Sequence, residues 1–312
     1  MGKISDGFFV KGKDGKEIFV YCWDEVKEPK GVVQIFHGMA EHAGRYKEFA
    51  KYLNNEGFIV YADDHRGHGK TAGSIENLGC IGEDGFNKIV EDEAVIKNLI
   101  QEKHKGLPII VFAHSFGSFI AQEYIMRYGN ELAGIILCGS AARTGLDVYA
   151  GKTIAYMEKI LFNDNKKSKL LDFLSFYNYN KKFKESESNF AWLTSDDQEI
   201  KKYQEDPLCG TVFTAGFYYY FLKGLTKLYH ADRLNRIPKE LPIFIIAGEE
   251  DPVGNYGTLV KKLYKNYVNL KIEKVDLKLY QDKRHEILNE IGKEEVFYDV
   301  VSWIEKNVET NF

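Results

Sequence analysis

The stretch "IIVFAHSFGSFIAQEY", residues 109–124, joins a continuous apolar run to an apolar-periodic one through A-H-S-F-G. Ile109 to Phe112 are consecutive large apolar residues, the pattern of a strand buried on both faces. From Phe116 to Tyr124 the apolar positions recur at helical spacing. Ser115 falls on the junction. A serine on a sharp strand-to-helix turn has its hydroxyl exposed at the end of the sheet, and the pattern for that turn is G-x-S-x-G. The positions two before and two after the serine pass close to neighbouring backbone and must be small. Gly117 meets this need after the serine. Ala113 adds one methyl before it, at a strand position where φ is negative and glycine's freedom is not required. The stretch predicts a nucleophilic serine at the C-terminal end of a buried strand.

Outward from this point, strands and helices alternate. "GVVQIFHG" (31–38) and "FIVYADDH" (58–65) read as strands, with the helix "RYKEFAKYLNNEG" (45–57) between them. "GFNKIVEDEAVIKNLIQEKHKG" (85–106) is an amphipathic helix and "ELAGIILCGSA" (131–141) another strand. Upstream, "GFFVKGKDGKEIFVYCW" (7–23) reads as a hairpin turning at "KDGK". The alternation fails between Ala142 and Arg236, where "VYAGKTIAYMEKILF" (148–162), "KKSKLLDFLSFYNYNKKF" (166–183) and "VFTAGFYYYFLKGLTKLYH" (212–230) look helical and aromatic. It resumes with the strand in "LPIFIIAGEEDPVG" (241–254), the helix "YGTLVKKLYKNY" (256–267), the strand in "DLKLYQDKRHE" (276–286) and a last helix from about Glu286. Continuous apolar strands separated by helices imply a mostly parallel central sheet with helices on both faces. Residues 1–141 and 237–312 form its core, and residues 142–236 are an inserted helical cap.

Of the 312 residues, 44% are hydrophobic and 28% charged, and the formal net charge is -4. That balance gives no reason to expect nucleic acid as a partner. No apolar run approaches the ~20 residues that span a bilayer, and "MGKISDGFFV" carries no leader pattern, so a cytoplasmic protein is expected. Cys22, Cys80, Cys138 and Cys209 form no C-x-x-C pair and read as reduced thiols. His37, His42, His65 and His68 match no metal-ligand spacing, so no metal is expected. "DDHRGHG" (63–69) reads instead as a glycine-bent loop near the site, with Arg66 tied to Asp63 or Asp64. No G-x-G-x-x-G opens a helix after the first strands, and no cofactor is expected. Composition does not fix the oligomeric state.

A serine hydroxyl is a weak nucleophile and needs a base, which in turn needs an acid to orient it. Glu249, Glu250 and Asp251 stand just past one late strand and His285 just past the next. Both places are strand C-terminal ends, where open α/β sheets bind ligands, and the order serine, acid, histidine is that of the α/β-hydrolase triad. The tetrahedral oxyanion of acyl transfer also needs backbone N–H donors. One is offered by Phe116, which follows the serine. The other comes from "QIFHGMAEHAGRY" (34–46), where Gly38 lets the chain bend and point the Met39 N–H inward.

"FHGMAEHAGRY" (36–46), "VYADDHRGHGKT" (60–71), "FAHSFGS" (112–118), "AGEEDPVGNYG" (247–257) and "YQDKRHEILNE" (280–290) together resemble the monoacylglycerol lipase and lysophospholipase branch of the α/β-hydrolase superfamily. The likeness covers the core on both sides of the insertion and extends to "EDPL" (205–208) within it. It implies an α/β-hydrolase fold, Ser115 as nucleophile, Asp251 as acid, His285 as base, and Met39 and Phe116 as the oxyanion hole. Two departures stand beside the serine: Ala113 and Ser118 occupy positions where that branch usually has glycine, and they change packing there.

The aromatic run "FTAGFYYYFLKGL" (213–225) has more apolar surface than a solvated helix wants. It is expected to pack on the core and line an apolar channel, where each buried methylene of an acyl chain contributes about 0.8 kcal/mol. Gly38, His114, Phe217 and Tyr218 are the expected substrate-contacting residues, although His114 also has a purely structural reading. The expected enzyme is a serine ester hydrolase of lipid metabolism, acting through an acyl-enzyme on monoacylglycerols, lysophospholipids or similar small-molecule acyl esters. Its cap would touch lipid surfaces transiently, the charged "NKKFKESESN" (180–189) opposing deep insertion. An aminopeptidase, amidase or thioesterase would keep the same triad; an aminopeptidase would need acidic groups from "KESESN" (184–189) or "SDDQE" (195–199) to hold a free amine. A non-hydrolytic ligand-binding scaffold is the alternative of another class.

Overall fold

The computed structural model describes residues 7–183, 186 and 188–308. Eight strands form one sheet: β1 (Phe8–Lys11), β2 (Glu17–Trp23), β3 (Gly31–Phe36), β4 (Phe58–Asp63), β5 (Ile109–His114), β6 (Gly134–Cys138), β7 (Ile243–Gly248) and β8 (Val275–Tyr280). Their spatial order is β1-β2-β4-β3-β5-β6-β7-β8. The hairpin β1–β2 runs antiparallel at one edge, and every pairing from β4 to β8 is parallel. Helices α1 (Lys47–Asn55), α2 (Gly85–Lys103), α3 (Phe116–Tyr128), α4 (Leu146–Phe162), α5 (Lys169–Phe176), α6 (Asp197–Glu205), α7 (Ala215–Leu228), α8 (Ala231–Leu234), α9 (Thr258–Asn269) and α10 (Glu294–Asn307) complete the chain. This is the α/β-hydrolase fold.

β5 shows why its sequence is apolar throughout. Successive side chains of a strand point to opposite faces. Val111 and Ala113 enter the layer built with α2, α3 and α9, while Ile110 and Phe112 enter the layer under α1 and α10. With both faces covered, no position is left for a polar residue until the strand ends at His114 and Ser115.

Between β6 and β7 the chain makes α4 to α8, the helical segment expected there. Side-chain caps start three of these helices: Ser168 accepts from the Leu171 N–H, Asp196 from Gln198 and Thr214 from Phe217. α7 packs on α4, α2 and α3. Among the described residues, no helix is long and apolar enough to cross a membrane.

Two local readings are corrected. The last helix does not begin near Glu286. The His285 and Glu286 N–H groups donate to the carbonyls of Trp192 and Leu193, a short turn covers Ile287–Asn289, and α10 starts at Glu294 after Gly292 at φ 73°. The chain here is pinned to the β6–β7 segment instead of winding on itself. Arg66 is not tied to Asp63 or Asp64. Its guanidinium bonds Asp14 at 2.7 and 2.8 Å and the buried Asp92. Asp64 accepts from the Ala43 and Lys70 N–H groups, and Asp63 turns to His65. All four cysteines are free thiols, with Cys22 and Cys138 buried.

Candidate active site

Ser115 sits between β5 and α3 at φ 51° and ψ −116°, a strained backbone for a residue with a Cβ. The turn is closed against β3 so tightly that a Cβ on residue 117 would lie 2.2 Å from the Phe36 carbonyl oxygen and 2.6 Å from that of His37. Glycine is therefore obligatory at 117. Ala113 fits: its methyl is fully buried and its backbone pairs in register with Phe36 and Leu137. Ser118 is also buried, with its hydroxyl bonded to the Ser115 carbonyl at 2.6 Å and to Ser140 Oγ at 2.8 Å. A polar group stands where glycine was the family habit, and the structure satisfies it.

Three elements converge on this turn. His285 Nε2 is 2.8 Å from Ser115 Oγ. His285 Nδ1 is 3.0 Å from Asp251 Oδ2, a close approach not aligned as a hydrogen bond. Asp251 is wholly buried in the turn after β7, and its Oδ1 accepts from the Val253 N–H at 2.8 Å. The Trp192 ring packs on the His285 imidazole with centroids 5.1 Å apart. Glu249 and Glu250 do not join; Glu250 pairs with Lys182.

Gly38, Met39 and Phe116 border the same space. Among the described residues, the N–H groups of Met39 and Phe116 have no acceptor. The Gly38 N–H does: it donates to Glu41 Oε1 at 2.6 Å. Glu41 heads a buried network that sequence reading missed. It also accepts from Tyr46 Oη at 2.9 Å and Arg45 Nη1 at 2.7 Å, and lies 3.2 Å from His114 Nδ1. Arg45 grips Glu286, next to His285, with two bonds of 2.7 Å. The loop after β3 and the loop carrying His285 are thus stapled through one guanidinium. Burial raises the Glu41 carboxyl, but the His114 hydrogen bond and the Arg45 charge outweigh it and hold it well below the ordinary range. Burial opposes charge on His114 too, yet its Glu41 hydrogen bond raises it above an ordinary imidazole. The signal was present: Glu41 and Arg45 are spaced i,i+4, and Glu286 follows the histidine.

A second polar cluster backs the loop after β3. His65 Nδ1 lies 3.1 Å from carboxylate oxygens of both Asp63 and Glu93, and its ring stacks on His37 at 4.0 Å. Burial opposes charge on His65, but Asp63 and Glu93 overcome it and lift its pKa to about 10. This set, and His42 with Asp206 and Cys209, bring metal-type donor atoms within 4.8 Å of one another. Both are already bonded internally: His42 Nε2 is 3.0 Å from Asp206, and its Nδ1 accepts from the Gly44 N–H.

Ser115 opens on a cavity of about 660 Å³, walled on one side by the ends of β3 and β5 and on the other by the β6–β7 segment. Val148, Leu171, Phe176, Phe221, Leu222 and Leu225 give it apolar surface. Tyr218 lines it and His114 reaches it, but Phe217 does not. Phe217 is fully buried behind the wall, 4.2 Å from Phe213 and 5.2 Å from Phe116 between ring centroids. On α7 the helical turn gives the cavity to Tyr218 and the packing to its neighbour. None of residues 195–199 lines the cavity: Asp196 caps α6 and Glu199 pairs with Lys202. Lys184, Glu185 and Glu187 lie outside the described residues.

A family model described as "Serine aminopeptidase, S33" matches residues 27–292. The chain is 29% identical to a monoacylglycerol lipase of Mycolicibacterium smegmatis, over 94% of each chain. It is 26% identical to the monoglyceride lipase of Homo sapiens, over 95% of this chain and 89% of that one. Among solved structures, a thermostable carboxyl esterase from Bacillus coagulans superposes with a TM-score of 0.89 at 28% identity, covering 96% of this chain and 98% of the other. A monoglyceride lipase from Saccharomyces cerevisiae shares the fold, with a TM-score of 0.79 at 21% identity over 99% and 98% of the two chains. The chain belongs to the serine aminopeptidase S33 family of α/β-hydrolases and is a serine hydrolase.

Proposed function

We propose that the protein hydrolyses single-chain lipid esters of the monoacylglycerol or lysophospholipid type through an acyl-enzyme on Ser115. The observation that carries this is the Ser115–His285–Asp251 relay, with steps of 2.8 and 3.0 Å, at the floor of a largely apolar cavity of about 660 Å³. Monoacylglycerol lipases and a carboxyl esterase aligning over nearly the whole chain support it.

In this reading, His285 Nε2 takes the Ser115 proton as Oγ attacks the ester carbonyl, and Asp251 stabilises the imidazolium. The Met39 and Phe116 N–H groups receive the oxyanion. His285 returns the proton to the leaving alcohol, and water then releases the acid by the same route. Residues 142–236 act as the cap: their inner rings hold the acyl chain, and their outer face meets the lipid surface. Leu146, Met157, Ile160 and Leu161 on α4 and Leu170 on α5 are exposed and do not line the cavity, with Lys166 and Lys169 exposed between the two helices and at the start of α5. A cytoplasmic enzyme of lipid metabolism fits this chemistry.

Fluorophosphonate labelling and a chain-length panel of monoacylglycerols, run on wild type and Ser115→Ala, test the reading. Labelling and turnover that vanish together in the variant support it; a wild type that turns over none of these esters refutes it. Asp172 in the cavity wall, 3.4 Å from Tyr218 Oη, favours a second reading in which a free amine is held there. Aminoacyl-arylamide turnover above that of monoacylglycerol would select it.

A further inference from the structure

The cavity that faces Ser115 is apolar over most of its wall, yet one cation stands in it. Arg143 is the one Lys or Arg among the described residues lining it. It follows β6 and precedes α4, so the backbone places it at the rim of strand ends where the triad also sits. Its side chain is 28% exposed, so water solvates part of the charge, while the buried part faces acyl-binding surface with weak protein partners. Nη2 donates to Tyr179 Oη at 2.9 Å. Nη1 is 3.8 Å from Asp147, too far for a hydrogen bond, and that carboxylate is 69% exposed and solvent-screened. The other carboxylates of the wall are engaged elsewhere: Glu41 and Glu286 by Arg45, and Asp172 by Tyr218.

The direction in which Arg143 lies is also fixed by contacts. The Tyr179 ring packs on Trp192 with centroids 5.0 Å apart, and Trp192 packs on His285 at 5.1 Å. The guanidinium is therefore reached from the catalytic imidazole through two aromatic rings. The imidazole is the group that protonates the departing alcohol, so this side of the cavity receives the alcohol half of an ester. The apolar residues Phe119, Phe221, Leu222 and Leu225 belong to the α3–α7 wall and suit the acyl half.

We propose that Arg143 is a specificity-determining residue that binds an anionic phosphate on the alcohol half of the substrate, with Tyr179 as its second donor. This rests on the ester-hydrolase reading above and selects, within it, single-chain esters with a phosphate-bearing head group. A guanidinium holds phosphate through two parallel N–H···O bonds, and Asp147, being solvent-screened, yields to it at small cost.

The test compares kcat/KM for a lysophosphatidic acid, a monoacylglycerol of the same acyl chain, and a p-nitrophenyl hemiester of a long dicarboxylic acid. These put the negative charge on the alcohol half, nowhere, and on the acyl half. Wild type, Arg143→Met and Arg143→Lys are measured. The expected result is a fall of ~10-fold or more in the lysophosphatidic acid to monoacylglycerol ratio for Arg143→Met, borne by KM. Arg143→Lys should recover part of the ratio, since it keeps the charge and loses the fork. An unchanged ratio in Arg143→Met overturns the proposal, and so does a loss confined to the dicarboxylic hemiester. Turnover of the neutral ester by each variant reports that it is folded. Absence of ester turnover in wild type would refute the enzyme reading itself, a result distinct from either.

Discussion

The two walls of the cavity are built on opposite terms. On the sheet side, side chains near Ser115 are fixed by several partners at once: Glu41 has four, Arg45 ties two loops, and Asp251 is fully buried. On the β6–β7 side, the wall is made of rings and aliphatic chains with few directional bonds, and the outer faces of α4 and α5 leave large apolar residues exposed. In the proposed mechanism a proton crosses the 2.8 Å between Ser115 and His285, and such a step tolerates little misplacement. A surface that holds an acyl chain needs apolar area and little else. The difference predicts that changes on the first wall act through geometry, and changes on the second through affinity and surface attachment.

Ser115→Ala should give the largest effect, a loss of kcat on the order of 10⁴-fold or more, with thermal stability little changed, because alanine keeps the Cβ that makes φ 51° strained. Steady-state assays and a melting curve read both; retained turnover would break the comparison at its root. Arg45→Met should follow. It leaves Glu41 and Glu286 buried without their cation, which costs about 3–5 kcal/mol, and it should lower kcat as the Gly38–Met39 loop loosens. Chemical denaturation measures the first and steady-state kinetics the second. Arg45→Lys should not restore the wild type, because one ammonium cannot make both 2.7 Å bonds to Glu286 and still reach Glu41.

The His65 cluster supplies a pH test. Its folded pKa of about 10 lies above the ordinary 6.5, so its stabilising contribution is complete below about pH 6.5 and is lost as pH rises toward 10. Burial and Asp63 raise the Glu93 carboxyl as well, which gives the same sign. Melting temperature should therefore fall across that window, and His65→Phe should flatten the slope while lowering stability at neutral pH. On the other wall, Ile160→Glu with Leu161→Glu should leave hydrolysis of a soluble short-chain ester alone and weaken binding to phosphatidylcholine–phosphatidylglycerol vesicles by roughly 10-fold. Sedimentation with vesicles reads this. Equal binding by the variant would move the docking surface elsewhere.

What could be read from the sequence follows the same division. Strand interiors face apolar layers on both sides, so β4 to β7 are written as apolar runs, β3 is broken only by the buried Gln34 that bonds Glu93, and the residues just beyond them mark the site. The meeting of Ser115, Asp251 and His285 was legible for that reason. Phe217 was misplaced because an aromatic helix facing both core and cavity has no polar residue to mark the boundary between its faces. Arg66 was assigned to its sequence neighbours, yet Asp14 and Asp92 come from the hairpin and α2, contacts that exist only after the sheet is assembled. The start of α10 was misread because "EILNE" (286–290) has helical composition, while its bonds to Leu193, Thr194 and Ser195, after the His285 bond to Trp192, hold it out of a helix.

Ala113 closes the comparison with the smallest effect. It is the residue at which the turn pattern departs from glycine, on the wall where geometry matters most. If the position had to be glycine, Ala113→Gly would relieve strain and raise stability or rate. The structure argues otherwise. Residue 113 is paired on both edges, to Phe36 and Leu137, inside β5, and its methyl is buried in the apolar layer with Val111 and Phe116, whereas a Cβ at 117 would meet two carbonyl oxygens. Ala113→Gly should therefore destabilise by about 1 kcal/mol through lost burial and added backbone freedom and change kcat by less than about 3-fold. Gly117→Ala, one turn further on, should abolish folding or activity, because its methyl would have to displace two carbonyl oxygens of β3 and the loop that follows it. Denaturation curves of the two variants side by side would show whether the two small positions around Ser115 are small for the same reason or, as the contacts indicate, only one of them is sterically required.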